Sequence, residues 1–331
     1  MKITFCFFPV LIFLTFLFLL DNFKLVRVKT LIYCFAWGIV CTAAAYFLNT
    51  FIARWLNLDS ISLSRHVSPI IEESLKGMII FYLISKKKIG FMIDAAIYGF
   101  ASGAGFSLVE NIWYIISNPL EFNMMTWIIR GFGTAIMHGG ATALLAVLFI
   151  AAINRSDKKI LAAPTGLIFA ILLHAGFNYF PLDPRLQTLL IIVLLPIMFF
   201  LVFTFSNSKL QKWLEIELNS EVELLNMIRK GEFRSTKAGN FLLSMRERFT
   251  PEVIVDMYCY IALFLELSIK AKRNVMLNET GFPMMIEKDI EPKLKELAEL
   301  RKLIGPVGEM ALAPLIRMNY RSLWKLNQLK L

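Results

Sequence analysis

Long apolar runs separated by short polar loops fill the first two thirds of the chain, and the remainder has frequent Lys, Arg and Glu. Seven runs have spanning length or nearly so: residues 3–20, 30–51, 69–85, 91–117, 126–153, 160–180 and 186–205. A helix needs about 20 predominantly apolar residues to cross a hydrocarbon layer of roughly 30 Å. The pattern therefore predicts an all-α, polytopic membrane protein with about seven transmembrane helices in residues 1–205. Lys2 before the first run would suit a signal peptide. The run is long and no small-x-small cleavage site closes it, so an uncleaved span is expected.

From residue 206 to 331 the pattern predicts a separate, helical cytoplasmic domain. Thr250-Pro251-Glu252 is a helix start, with a capping hydroxyl, proline at the first position and an acid in the first turn. An apolar, periodic run follows to about Lys270. Residues 287–304 read as an amphipathic charged helix, which Gly305-Pro306 breaks before a last helix reaching Leu326. Nothing there is catalytic by spacing. A structural helical bundle is the leading expectation, with regulation, partner docking or membrane-surface contact as the alternatives.

Composition supports the membrane reading: 57% of the 331 residues are hydrophobic and 29 are Phe, which excludes an ordinary soluble domain. The net charge of +10 could indicate nucleic acid, but no recognition motif or basic-aromatic stripe accompanies it, and no nucleic-acid partner is expected. Several cations lie instead in alternate loops. Lys24, Arg27 and Lys29 follow the first run, Lys86, Lys87 and Lys88 the third, Arg155, Lys158 and Lys159 the fifth, and the basic tail the seventh. The other loops hold fewer, with Arg54 and Arg65 in one and Arg185 in another. The positive-inside rule then predicts an external N-terminus and a cytoplasmic C-terminus. Cys6, Cys34, Cys41 and Cys259 show no pairing rhythm and no Cys-x-x-Cys, so small apolar roles are expected.

The third run contains what an apolar helix should exclude: Glu72, Glu73 and Lys76. If both glutamates stood in water, the apolar stretch left to Ser85 would rise only about 18 Å, too short to cross. The acids are therefore placed inside the membrane, where an ionisable group is a functional-site hypothesis by default. Counting up each helix from the basic loops puts Glu72 about 20 Å, His174 about 22 Å and His138 about 24 Å from that boundary. Glu110 comes out at about 24 or about 30 Å, depending on whether its helix begins at Asp94 or Gly90. Four helices thus carry their least membrane-compatible residues at one level, in the outer half of the bilayer. Gly99 and Gly103 form a G-x-x-x-G pair, and Gly131, Ala135 and Gly139 repeat at the same interval, as close helix contacts would use.

Each polar residue alone has a plain structural reading. Glu72, Glu73 and Lys76 could be an ion pair at a helix start capped by Ser68, with the helix dipole favouring the acids. Glu110 and Asn111, after Phe106, could belong to an interfacial turn before Asn118-Pro119, and His138 could be a satisfied buried histidine. His174 and Asn178, four apart, share one helix face and could offer donors to an oxyanion. Together they supply a general base, a proton partner and an electrophilic donor set, which suits carbonyl hydrolysis inside the membrane. No serine lies in a G-x-S-x-G elbow and no H-E-x-x-H occurs, so serine-hydrolase and zincin templates fail.

Glu72-Glu73-x-x-Lys76, Phe106-x-x-x-Glu110-Asn111, His138 and His174-x-x-x-Asn178 resemble, in order, the motifs of the PrsW family of intramembrane proteases. That family is similar in its core to the type II CAAX prenyl proteases and the CPBP, or Abi, proteins. The resemblance covers residues 69–180. It implies a bacterial inner-membrane endopeptidase that makes the site-1 cut in a single-span anti-sigma factor, near the extracytoplasmic face. It further implies that Glu72 activates water with help from a histidine, that His174 and Asn178 stabilise the oxyanion, and that Glu73 and Lys76 orient and balance the base. Glu110 and His138 fill positions where the subfamilies differ. Metal use stays open: Glu72, Glu110, His138 and His174 could ligate a divalent ion such as zinc, but no tight ligand pair settles it. CAAX proteases carry arginine at a longer interval and histidine in the middle motif, whereas this chain has Lys76 and Glu110. The alternative class is a non-catalytic transporter or scaffold using the buried Glu and His residues as an ion or proton site.

Overall fold

The helices that carry Glu72, Glu110, His138 and His174 pack together through small residues, and one of them is enclosed on every side. The computed structural model describes residues 2–117, 123–155, 159–282, 287–316 and 320–329, and among these there is no strand. Asn118, Pro119 and Lys158, named above, lie outside the described residues. Contacts divide the chain into two compact units, Met1–Asn207 and Ser208–Leu331.

The first unit holds α1 (Lys2–Leu19), α2 (Val28–Leu56), a short α3 (Ser60–Ser62), α4 (Ser68–Ser85), α5 (Met92–Ser117), α6 (Met124–Ile128), α7 (Ala135–Arg155) and α8 (Lys159–Asn178). It also holds the start of α9 (Pro184–Arg229). Two π-helical turns, Leu63–Val67 and Ile129–Thr134, lead directly into α4 and α7. Among the described residues, four helical stretches are long and apolar enough to cross a membrane: Val28–Leu56, Met92–Ser117, Met124–Asn154 and Pro184–Arg229. The chain is thus multi-pass. The other three segments expected to span are helical but differ in kind. Thr4–Leu19 and Pro164–Asn178 are shorter apolar helices, and α4 is interrupted by its own charges.

Every residue of α5 from Ile93 to Ser107 is buried, as a helix apolar all round requires. Its glycines explain how neighbours approach. A Cβ on Gly103 would stand 2.2 Å from the His138 carbonyl oxygen, and one on Gly99 2.7 Å from that of Thr142, so α5 and α7 meet backbone to backbone. Gly105 lies as close to α2, where a Cβ would meet the Phe35 carbonyl at 2.0 Å. In the repeat that runs from the second π-turn into α7, Gly131 faces Phe5 of α1 and Gly139 faces Phe100 of α5. The start of α5 is set by Asp94, which accepts from the amides of Gly90 at 2.8 Å and Phe91 at 2.9 Å.

One expectation about α4 changes. Ser68 does not cap it, because helical backbone runs without a break from Ser60 through the π-turn to Ser85. Glu72 and Glu73 therefore stand inside a continuous helical run, and an ion pair at a helix terminus does not describe them.

The second unit is built from the end of α9, α10 (Lys237–Ser244), α11 (Pro251–Glu279), α12 (Ile290–Leu312) and α13 (Tyr320–Gln328). Thr250 is the N-cap of α11, yet its hydroxyl makes no capping bond, and the helix runs beyond Lys270 to Glu279. Gly305 breaks α12 at φ +66°, a left-handed backbone that glycine adopts without penalty. Lys272 and Lys325 are buried in this unit, where both approach Glu221, at 3.0 and 2.9 Å. Lys272 also meets Glu217 at 3.2 Å.

Candidate active site

Glu73 is the most heavily engaged acid of the group, and it comes from the middle of α4. Its Oε1 accepts from Lys76 Nζ at 2.6 Å, one turn on in the same helix, and from the His174 ring of α8 at Nδ1, 2.8 Å away. Its Oε2 lies 3.2 Å from the Thr142 hydroxyl of α7. Glu73 and Lys76 are both fully buried. A buried pair is stable only when hydrogen bonds satisfy the remaining lone pairs and protons, and here α7 and α8 provide them.

Lys76 reaches one step further. Its ammonium lies 3.1 Å from His138 Nδ1 and 4.7 Å from the Phe106 ring centroid. Lysine has only protons to give, so Nδ1 of His138 accepts, and the ring's proton sits on Nε2. That nitrogen is 3.2 Å from Glu110 Oε2. Phe106 also packs on the His138 ring, with centroids 5.1 Å apart. In His174 the bond from Nδ1 to Glu73 assigns the proton to Nδ1 and leaves Nε2 to face Glu72 Oε2 at 3.8 Å.

Glu72 is held less tightly. Asn49 of α2 donates to its Oε1 at 3.3 Å, and its side chain is 12% exposed. Glu110 is opposed by Arg130, whose guanidinium nitrogen lies 3.2 Å from Oε2. Arg130 Nε also donates to the side-chain Oδ1 of Asn111 at 3.0 Å, and the guanidinium stacks on Tyr114 with its carbon 3.5 Å from the ring centroid. Asn111 in turn donates to the Cys6 carbonyl at 3.1 Å, tying α5 to α1.

Glu72, Glu73, Lys76, Phe106, Glu110, His138 and His174 thus form one cluster across α4, α5, α7 and α8. Asn111 joins it through Arg130. Asn178 does not point the same way as His174: its amide donates to the Ser64 carbonyl in the π-turn before α4, at 2.8 Å. A wider π-turn leaves backbone carbonyls short of helical partners, and this amide satisfies one of them.

Three contributors escaped the pattern of acids and histidines. Thr142 was detectable as the residue one turn after His138, on the same helix face. Arg130 and Asn49 each stand inside an expected apolar span, and a charge or amide there carries its own signal. Their partners, however, lie on other helices.

The cluster can hold a divalent metal. Ligand atoms of Glu72, His138 and His174 lie within 4.8 Å of one another, and two imidazoles with one carboxylate make a catalytic zinc donor set. Three observations fit such an ion. Glu73 holds His174 by Nδ1, the carboxylate-histidine arrangement that presents Nε2 to a metal. Glu110 Oε2 is buried and makes no well-angled hydrogen bond. Finally, among the described residues the three acids Glu72, Glu73 and Glu110 are opposed by two permanent cations, Lys76 and Arg130, an excess of negative charge.

A family model described as PrsW family intramembrane metalloprotease matches residues 27–205, more than half of the chain and all of the cluster. No curated protein and no solved structure matches.

Proposed function

Because the chain belongs to the PrsW family of intramembrane metalloproteases, we propose that this cluster hydrolyses a peptide bond of a membrane protein within the bilayer. The observation that carries the proposal is the convergence of Glu72, His138 and His174 within 4.8 Å of one another in apolar helices. Fixing so many ionisable groups at one membrane depth is costly, and chemistry explains it best.

These three residues would hold the metal, with Glu73 orienting the His174 ring from behind; His138, whose Nδ1 faces Lys76, would ligate through Nε2 only with that nitrogen deprotonated. A zinc-type ion there supplies two things, a more acidic water and a polarised carbonyl. Glu110, the most exposed acid of the cluster at 24%, takes the proton of the attacking water and returns it to the leaving amide nitrogen. Arg130 keeps Glu110 in place and sets a positive charge beside the developing oxyanion. Thr142 fixes the free oxygen of Glu73. Asn178 acts by holding the π-turn before α4. A metal-free mode, in which Glu72 is itself the base, uses the same residues and differs in its response to chelation.

The substrate is a single-span membrane protein, and an anti-sigma factor cut near the extracytoplasmic face fits the family and the outer-half depth of the cluster. With the basic loops inside, the N-terminus is external and the second unit cytoplasmic. The core shared with CPBP and CAAX proteases belongs to the same proposal. The experiment is co-expression with candidate single-span proteins, comparing the natural chain with Glu72→Gln, His138→Ala and His174→Ala. Cleavage that persists in all three variants would sink the hydrolytic reading and favour an ion or proton site.

A further inference from the structure

A groove of about 440 Å³ opens between the N-terminal half of α2 and the C-terminal half of α4, away from the active-site cluster along α4. The two helices are joined nearer the cluster, where Trp37 Nε1 donates to the Leu75 carbonyl at 2.9 Å and Asn49 donates to Glu72. The apolar wall of the groove is made by Trp37, Val40 and Ile79, and its other end by Tyr33, Tyr82 and Lys88. The space is therefore amphipathic along its length.

The polar end has the character of a headgroup region. Tyr33 and Tyr82 are 66% and 50% exposed, as tyrosines of an interfacial belt are. Lys88 lines the groove, and Lys29 directly precedes its residue Thr30. Both lysines are exposed, and neither has an ion pair among the described residues. The first turn of α2, which begins at Val28, has no side-chain cap, so its amides add a partial positive charge at the same end. Cations, phenols and an apolar slot in that order match a phosphate, a glycerol backbone and an acyl chain. A docked protein helix matches less well: close helix contacts in membranes use small residues, and Ala36 is the one small apolar residue on these walls.

We propose that this groove binds one anionic phospholipid, with its phosphate at Lys88 and Lys29 and an acyl chain along Trp37, Val40 and Ile79. Electrostatic attraction selects an anionic over a zwitterionic headgroup. The site stands independently of the hydrolytic reading.

The test is native mass spectrometry of the full chain in detergent, offered equal amounts of phosphatidylglycerol and phosphatidylcholine with identical acyl chains. Phosphatidylglycerol is expected to be retained at least about tenfold better, and K29Q and K88Q to lower that preference about fivefold each. R54Q, at the opposite end of α2, should leave it unchanged. A36W, which fills the slot, should remove both adducts. Tryptophan quenching by chain-brominated lipids supplies a second readout that does not depend on the lysine or slot-filling variants folding. The Trp37 signal, taken by difference from W37F, should be quenched more by brominated phosphatidylglycerol than by brominated phosphatidylcholine. Equal retention of the two lipids, a preference unchanged in the double lysine variant, displacement by millimolar inorganic phosphate, or displacement by a single-span substrate helix would each overturn the assignment.

Discussion

His174 Nδ1 and Glu73 Oε1 meet at 2.8 Å across 101 residues of chain, and the same carboxylate oxygen takes the Lys76 ammonium at 2.6 Å. One buried acid therefore satisfies a cation in its own helix and orients an imidazole from another. Its neighbour Glu72, a single residue earlier, is left with one amide partner and faces the other nitrogen of the same ring. Adjacent glutamates have thus been given different tasks by what surrounds them.

That difference predicts distinct phenotypes. Glu73→Gln removes the anion from a fully buried lysine and should cost about 3–5 kcal/mol of stability along with cleavage. Glu72→Gln should leave stability within about 1 kcal/mol while lowering cleavage at least about a hundredfold. Thermal unfolding of the full chain in detergent, read beside the cleavage rate, separates them. Equal melting points for the two variants would contradict the division of roles.

Metal content tests the donor set directly. The purified chain should hold about one zinc-type ion, and chelation should abolish cleavage until the ion is restored. His174→Ala should lose the ion, and Glu73→Gln should weaken its binding about 10–100-fold by releasing the His174 ring. Full activity in a chain shown by elemental analysis to be metal-free would instead assign the base to Glu72.

Arg130 bridges Glu110 and Asn111 with two different nitrogens. Arg130→Gln should lower the cleavage rate constant at least about tenfold with little change in substrate affinity. Arg130→Lys should not rescue it, because an ammonium lacks the planar fork that spans both partners. Single-turnover cleavage rates check this, and recovery by lysine would show that charge alone matters.

Two glycines should respond oppositely to alanine. At Gly103 a Cβ would lie 2.2 Å from the His138 carbonyl, so Gly103→Ala should push α5 from α7, cost about 1–3 kcal/mol and displace His138. Around Gly176 there is open space, and Gly176→Ala in α8 should be neutral or stabilise by roughly 0.5–1 kcal/mol. Melting temperatures of the two variants decide it.

In the second unit an acid-sensitive clasp joins Lys270, inside α11, to the start of α12. Lys270 meets Glu287 at 2.6 Å and Asp289 at 3.0 Å, and Lys293 meets Asp289 at 2.6 Å. Hydrogen bonds from Lys293 and Lys270 bring the Asp289 carboxyl from 3.8 down to about 2, and those from Lys270 and Arg273 lower that of Glu287. Folded values below unfolded ones mean that the clasp contributes fully above the unfolded values and is lost as pH falls from about 4 towards 2. Pepsin cleavage beside the exposed Phe282, normalised to an unfolded reference, should therefore rise over that window. A flat profile would show that apolar packing alone holds the segment.

Much of this was legible in the order of residues. Hydrophobic length and basic loops predicted helices at every apolar run, and counting along them put Glu72, His138 and His174 at one depth, because depth along a helix is a local quantity. Gly99 and Gly103 likewise advertised a close contact, since only a missing side chain permits one. What the chain order could not state is direction around each helix axis and the partner found there. Asn178 shares a helix with His174, yet it turns to a π-turn carbonyl that exists only because the backbone widens at Leu63–Val67. Arg130 and Thr142 matter only because packing brings the π-turn before α7 to Glu110 of α5, and α7 itself to Glu73 of α4. Tertiary packing alone also separated Glu72 from Glu73: two acids equal in sequence became one that is saturated and one that is available, according to which neighbours reached them.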